Sequence, residues 1–209
     1  MSSVRAAAGK SLKSVTASKI MKFDEEKLKE TAKPYFASAR AGDWRHALRV
    51  VRWVRELGNG RDDLNLLVTA AYIHDIGWSG VAPKGKVDLD EMLKLEPKAN
   101  ENSSKLISEV LTKLQFTDSE IQIINRFVAA ADNHQSERKD EAIIVDADNL
   151  SKLCPEHLQE KYQPESFSKL IKLWKTELAN RIRTQKGKKL FPKLLSELEQ
   201  TVLRMQEKV

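Results

Sequence analysis

Leu64-Asn65-Leu66-Leu67-Val68-Thr69-Ala70-Ala71-Tyr72-Ile73-His74-Asp75-Ile76-Gly77 is apolar on nearly every side until it closes in a histidine, an aspartate and a glycine. A helix without a polar face has nothing to offer water, so this one belongs in the middle of a helical bundle. Upstream, Asp43 reads as an N-cap for an amphipathic helix closed by Gly58, with Leu48, Val51 and Val54 joined by Val50, Trp53 and Leu57. His46 begins the Val50, Trp53, Val54, Leu57 face and therefore points inward. Before it, Asp24, Glu25 and Glu26 suit a helix start, Leu28, Ala32 and Phe36 share a face, and Pro34 should kink or divide the element.

Downstream, residues 78–99 carry Gly80, Pro83, Gly85 and Pro97 and are expected to form a long loop, with at most a short helix at Leu89 to Leu95. Helices follow at Ser103 to Leu114 and at Asp118 to Asp132, the second capped near Thr117. Ala142 to Val145 is compatible with a strand, and Pro155 ends its element. Two long helices, Ser166 to Arg183 and Leu190 to Glu207, flank a turn at Gln185-Lys186-Gly187. Only 8 Gly and 6 Pro in 209 residues leave few corners for a sandwich or barrel, and the fold class is all-α. One domain is expected over residues 23–209, C-terminal helices included, preceded by a mobile basic tail at 1–22.

Charge is unevenly placed. The net +6 combines +5 over residues 1–22, +8 over Lys169 to Lys193 and −7 elsewhere. An overall basic balance is then weak support for nucleic acid as a partner, and that class is disfavoured. No apolar run reaches the roughly 18 to 20 residues that cross a bilayer, so a membrane span is excluded. Cys154 is the single cysteine, which removes an internal disulfide or a thiolate metal cage and points to a cytoplasmic chain. The tail lacks an apolar secretory core, although its Arg- and Ser-bearing, acid-free start also suits an organelle transit peptide.

Against this apolar background, His46, the pair His74-Asp75, and Asp148 are ionisable groups where helices should bury hydrocarbon. Each has an ordinary explanation alone: His46 as a hydrogen-bonded core histidine, His74-Asp75 as a helix C-terminal pair, Asp148 as a cap or surface residue. Together they need compensation, since an unpaired buried charge costs about 3–5 kcal/mol. Two imidazoles and two carboxylates suit one divalent metal ion, and the lack of thiolates favours Mn, Fe, Co, Ni or Mg.

The order histidine, His-Asp 28 residues later, then aspartate in Ala147-Asp148-Asn149-Leu150 carries a resemblance. Asp43-Trp44-Arg45-His46-Ala47-Leu48-Arg49-Val50, Ala70-Ala71-Tyr72-Ile73-His74-Asp75-Ile76-Gly77 and Val145-Asp146-Ala147-Asp148-Asn149-Leu150 resemble the three motifs of the HD superfamily of metal-dependent phosphohydrolases. The small single-domain bacterial hydrolases are most similar, and Phe167 to Glu199 is similar to their basic C-terminal helical pair, so the resemblance covers about residues 40–205. It implies an HD-type helical bundle that hydrolyses a phosphate ester in a small soluble phosphorylated substrate, of which a nucleotide is the first choice, by metal-activated water.

By the same resemblance His46, His74, Asp75 and Asp148 would hold the metal, with Asp148 the ligand because it precedes Asn149-Leu150, and Asp146 supporting it. Asp75 would also orient or deprotonate the attacking water, and His134 would contact phosphate or donate a proton. Substrate cations are expected at Arg49, one turn after His46, and next at Lys84 and Lys86 in the loop. Trp78 and Trp44 either stack on a base or cover the core, and His157 receives no role.

Two departures narrow the branch. Asn100-Glu101-Asn102-Ser103-Ser104 stands where dimetal members offer another histidine, which points to one metal, and Ile76-Gly77-Trp78-Ser79 lacks the acid or lysine of the alarmone, nucleotidase and cyclic-dinucleotide relatives. The missing base near Trp78 motivates an alternative: a non-catalytic module of the same type that binds a phosphorylated ligand or nucleic acid. Oligomeric state is left open by the sequence.

Overall fold

The computed structural model describes residues 23–83, 85–86 and 89–206; the tail expected at 1–22 and the candidate Lys84 lie outside them. Nine α-helices and no β-strand occur among the described residues, and none of those helices is long and apolar enough to cross a membrane. They are α1 (Glu25–Ala32), α2 (Asp43–Leu57), α3 (Leu64–Ile73), α4 (Leu89–Lys113), α5 (Asp118–Asp132), α6 (Glu141–Ser151), α7 (Pro155–Lys161), α8 (Phe167–Arg181) and α9 (Gln185–Gln206).

The apolar helix is where its sequence requires: α3 is flanked by α1, α2, α5 and α6, and seven consecutive residues from Leu67 to Ile73 are buried. Asp24 caps α1 through its side chain, and Pro34 diverts the chain after Ala32 into a 3-10 turn (Lys33–Ser38). Thr117 and Glu120 form a reciprocal capping box on α5. One core joins α1 to α6, and a second joins the end of α6 to α7, α8, α9 and Leu89.

Five local expectations are corrected. Ala142 to Val145 is helical, because α6 is buried at all eleven positions and its β-branched run reflects enclosure rather than extension. The stretch expected as loop closes at Leu89, where α4 begins and runs 25 residues through Pro97. A mid-helix proline costs about 3 kcal/mol, here offset by packing: the 3-10 turn Ile76–Trp78 lies against α4 so closely that a Cβ on Gly77 would sit 2.2 Å from the Ala99 carbonyl oxygen. Gly42, in the left-handed region at φ 76°, is the N-cap of α2 in place of Asp43. Finally, α9 starts at Gln185 rather than Leu190, and Leu48 is exposed rather than part of the inward face of α2.

Candidate metal centre

Three helices deliver the centre. His46 projects from the first turn of α2, His74 caps the C-terminus of α3 with Asp75 immediately after it, and Asp148 lies in α6. All are buried or nearly so. His46 Nε2 is 3.1 Å from Asp148 Oδ1 and 3.7 Å from Asp75 Oδ2, while His74 Nε2 is 3.5 Å from Asp75 Oδ2 and 3.9 Å from Asp148 Oδ1. One ligand atom each from His46, His74 and Asp148 falls within 4.8 Å of the others.

The hydrogen bonds around the rings set what each nitrogen offers. His74 Nδ1 is 2.9 Å from the Ala71 carbonyl oxygen, which only accepts, so Nδ1 carries the proton and Nε2 presents a lone pair; that Nε2 is buried with no partner. Ser151 Oγ lies 2.8 Å from the Asp148 carbonyl oxygen and 3.1 Å from His46 Nδ1, within reach to donate to either. His46 Nε2 is 3.1 Å from Asp148 Oδ1 and donates to that carboxylate in the metal-free protein; with its proton on Nδ1 it would turn a lone pair inward. Burial, helped by Lys161, holds His46 well below its ordinary pKa, so it stays neutral. One imidazole lone pair, a second neutral imidazole and two carboxylates converge on one point, and the donor set fits a divalent metal.

Fixed cations already surround the carboxylates. Asp75 Oδ2 accepts from Arg40 Nη2 at 2.7 Å and Lys161 Nζ at 3.3 Å, and both cations also pair with buried Asp43. Lys152 Nζ reaches Asp148 Oδ2 at 2.6 Å. Burial would raise both carboxyls, but Arg40 and Lys161 hold Asp75, and Lys152 and His46 hold Asp148, well below the usual carboxylate range. Arg40 itself lies 4.0 Å over the Trp78 ring.

The centre forms the floor of a cavity of about 310 Å³ that also reaches α4, α5, α7 and α8. His134 is on its wall, held at φ 54°, with Nδ1 buried and unpartnered and Nε2 4.0 Å from Glu96 Oε1; burial and then Lys152 push its pKa down to about 4. Nearby Asp132 is pushed up to about 8 by burial and then by Asp75 and Asp148.

The structure thus brings His46, His74, Asp75, Asp148 and His134 to one cavity, and does not bring Arg49 or Lys86 there. Arg49 pairs with Glu160 at 2.9 Å, and Lys86 is exposed; neither is among the cavity's lining residues. Three residues after His46 on α2 is about 60° off its direction, and the Arg49 guanidinium turns toward Glu160 on α7 instead. Asp146 does not support the centre: its carboxylate accepts the Arg183 and Thr184 N–H groups at 2.8 Å each and holds the turn between α8 and α9. Trp44 packs between Phe36 and Tyr72 in the core, whereas Trp78 lines the cavity.

Sequence reasoning missed Arg40, Asp132, Lys152, His157 and Lys161. Lys152 had a signal, being four residues after Asp148 on one helix face. His157 had none, yet it is buried with both ring nitrogens unpartnered and its ring 4.8 Å from that of His46.

A family model described as HD domain matches residues 43–153, more than half of the chain and all four residues of the centre. The chain matches no curated protein and no solved structure.

Proposed function

The chain belongs to the HD-domain family, whose members are typically metal-dependent hydrolases, and from that premise we propose that it hydrolyses the phosphate ester of a small soluble phosphorylated compound, nucleotides being the first class to test. The observation that carries this reading is the convergence of one ligand atom each from His46, His74 and Asp148 within 4.8 Å inside a cavity, with His74 Nε2 left as a buried, unpartnered lone pair.

His46, His74, Asp75 and Asp148 would hold one divalent ion of the Mn, Fe, Co, Ni or Mg group. Such an ion polarises a phosphoryl oxygen and makes water a better nucleophile at neutral pH. Asp75, ionised and fixed by Arg40 and Lys161, orients the attacking water and takes its proton. Arg40, Lys152 and Lys161 supply positive charge that is already in place when charge builds on the phosphoryl oxygens. Neutral His134, on the cavity wall, offers a ring N–H to the phosphate, and Asp132, whose carboxyl burial pushes up in the metal-free protein, lines the same cavity.

The test is phosphate release from a panel of nucleotides and sugar phosphates, with Mn, Co, Ni and Mg supplied separately, in wild type and Asp75→Ala. Release should require a metal and fall at least about a hundredfold in the variant. Release that persists in Asp75→Ala or in excess chelator contradicts the assignment. Tight ligand binding without product under every metal favours the binding-module reading.

A further inference from the structure

Two of the four exposed large apolar side chains among the described residues line the cavity. Leu93 on α4 is 50% exposed and Leu173 on α8 is 38% exposed, and both line the cavity. Large apolar groups left in water across an opening mark a ligand contact more often than a packing defect. Behind them the wall continues as Met92, Leu170, Trp174 and Leu178. The Lys169–Asp90 pair at 3.0 Å and the Tyr162 hydroxyl against Met92 Sδ at 3.4 Å tie α8 and α7 to the start of α4, so the two sides of the mouth are held in place.

The cavity is therefore divided along its depth. Its floor carries the metal ligands with Arg40, Lys152 and Lys161, and its outer wall is hydrocarbon and one indole. Glu96 lines the cavity as well, with its side chain 35% exposed, as does Glu177, 48% exposed and 3.7 Å from Arg181 Nη2, itself a lining residue. These rim charges nearly balance and give a long anionic tail little attraction beyond the floor, whereas an uncharged group would meet Leu93, Leu173 and Trp174. A volume of about 310 Å³ holds one phosphoryl group and one modest ring system.

We propose that the substrate is a phosphomonoester whose organic part is apolar or aromatic, with the phosphoryl group on the charged floor and the organic part against Leu93, Leu173 and Trp174, which set the specificity. This deepens the hydrolase reading above and rests on it. Leu173 and Trp174 on α8 lie beyond residue 153, where the family match ends, and so outside the matched motifs.

Calorimetric titration of the Mn-supplied protein with inorganic phosphate, benzylphosphonate and 2-hydroxyethylphosphonate tests this without turnover. Benzylphosphonate should bind about tenfold tighter than 2-hydroxyethylphosphonate, the gain expected from burying one ring face against the wall. Leu173→Asp should erase that advantage, and Leu93→Asp, at the more exposed position, repeats the test should the first variant lose its fold. Equal affinity of the two phosphonates, with phosphate binding retained, overturns the specificity assignment and leaves the hydrolase reading standing. Absence of binding by all three, phosphate included, overturns both.

Discussion

At the residue scale, the centre is built by the partners that stand behind its histidines. Ala71 O accepts the Nδ1–H of His74 and leaves its Nε2 lone pair at the centre, and Ser151 Oγ stands behind His46 Nδ1, so both rings turn Nε2 toward the carboxylates. The carboxylates are kept ionised by buried cations, and this has a measurable cost when one partner is removed. Asp43→Ala leaves Arg40 and Lys161 sharing Asp75 alone, and urea unfolding of the metal-free variant should show a loss of about 3 kcal/mol. Asp132 behaves in the opposite sense. Its folded pKa of about 8 lies above the unfolded value of about 3.9, so its contribution is fully present below about pH 4 and is lost as pH rises through 8. Metal-free Asp132→Asn escapes that loss: its Tm should exceed wild type by several degrees at pH 8, with the gap closing toward pH 4. A gap that does not change with pH would show that Asp132 is not held protonated.

At the scale of elements, two contacts position the helices around the cavity. The Asp146 carboxylate receives two N–H groups from the α8–α9 turn, and a Cβ on Gly187 would lie 2.5 Å from its Oδ2. Asp146→Ala strands both donors and should cost about 2–3 kcal/mol in denaturant unfolding. Gly77→Ala would drive a Cβ into the Ala99 carbonyl and part the His-Asp turn from α4, costing about 3 kcal/mol or more and weakening metal binding with it. The motif residues were legible in the sequence because ionisable groups stood at positions where helical periodicity demanded apolar ones. Arg40 and Lys161 were not, since Lys161 meets Asp75 across 86 residues and no periodic pattern joins them. Pro97 reads as a stop, and close packing on the turn at Gly77 overrides it, while the fully buried α6 carries no alternation that would separate helix from strand. Arg49 shares the His46 side of α2 by spacing, and its pairing with Glu160 draws it out of the cavity.

Across the whole molecule, the basic C-terminal block is not a field directed at the cavity. Lys169, Lys175 and Lys186 pair with Asp90, Glu199 and Glu56 on the surface, and Arg181 alone of the nine basic residues from Lys169 to Lys193 is among the cavity's lining residues. Screened, exposed charges contribute little to a distant site. Replacing exposed Lys188 and Lys189 by Gln should leave phosphate affinity within about twofold, while Arg181→Ala should weaken it several-fold, as read by calorimetry. What unites the molecule is its bundle: α2, α3 and α6 bring four ligand residues from distant sequence to one buried point, and α4, α7 and α8 enclose it. The most direct test is titration of Mn into metal-depleted protein, in wild type and in His74→Ala with its fold checked by circular dichroism. One ion per chain, lost in the variant, is the expected result; two ions per chain, or binding unchanged by His74→Ala, would contradict the assignment of the centre.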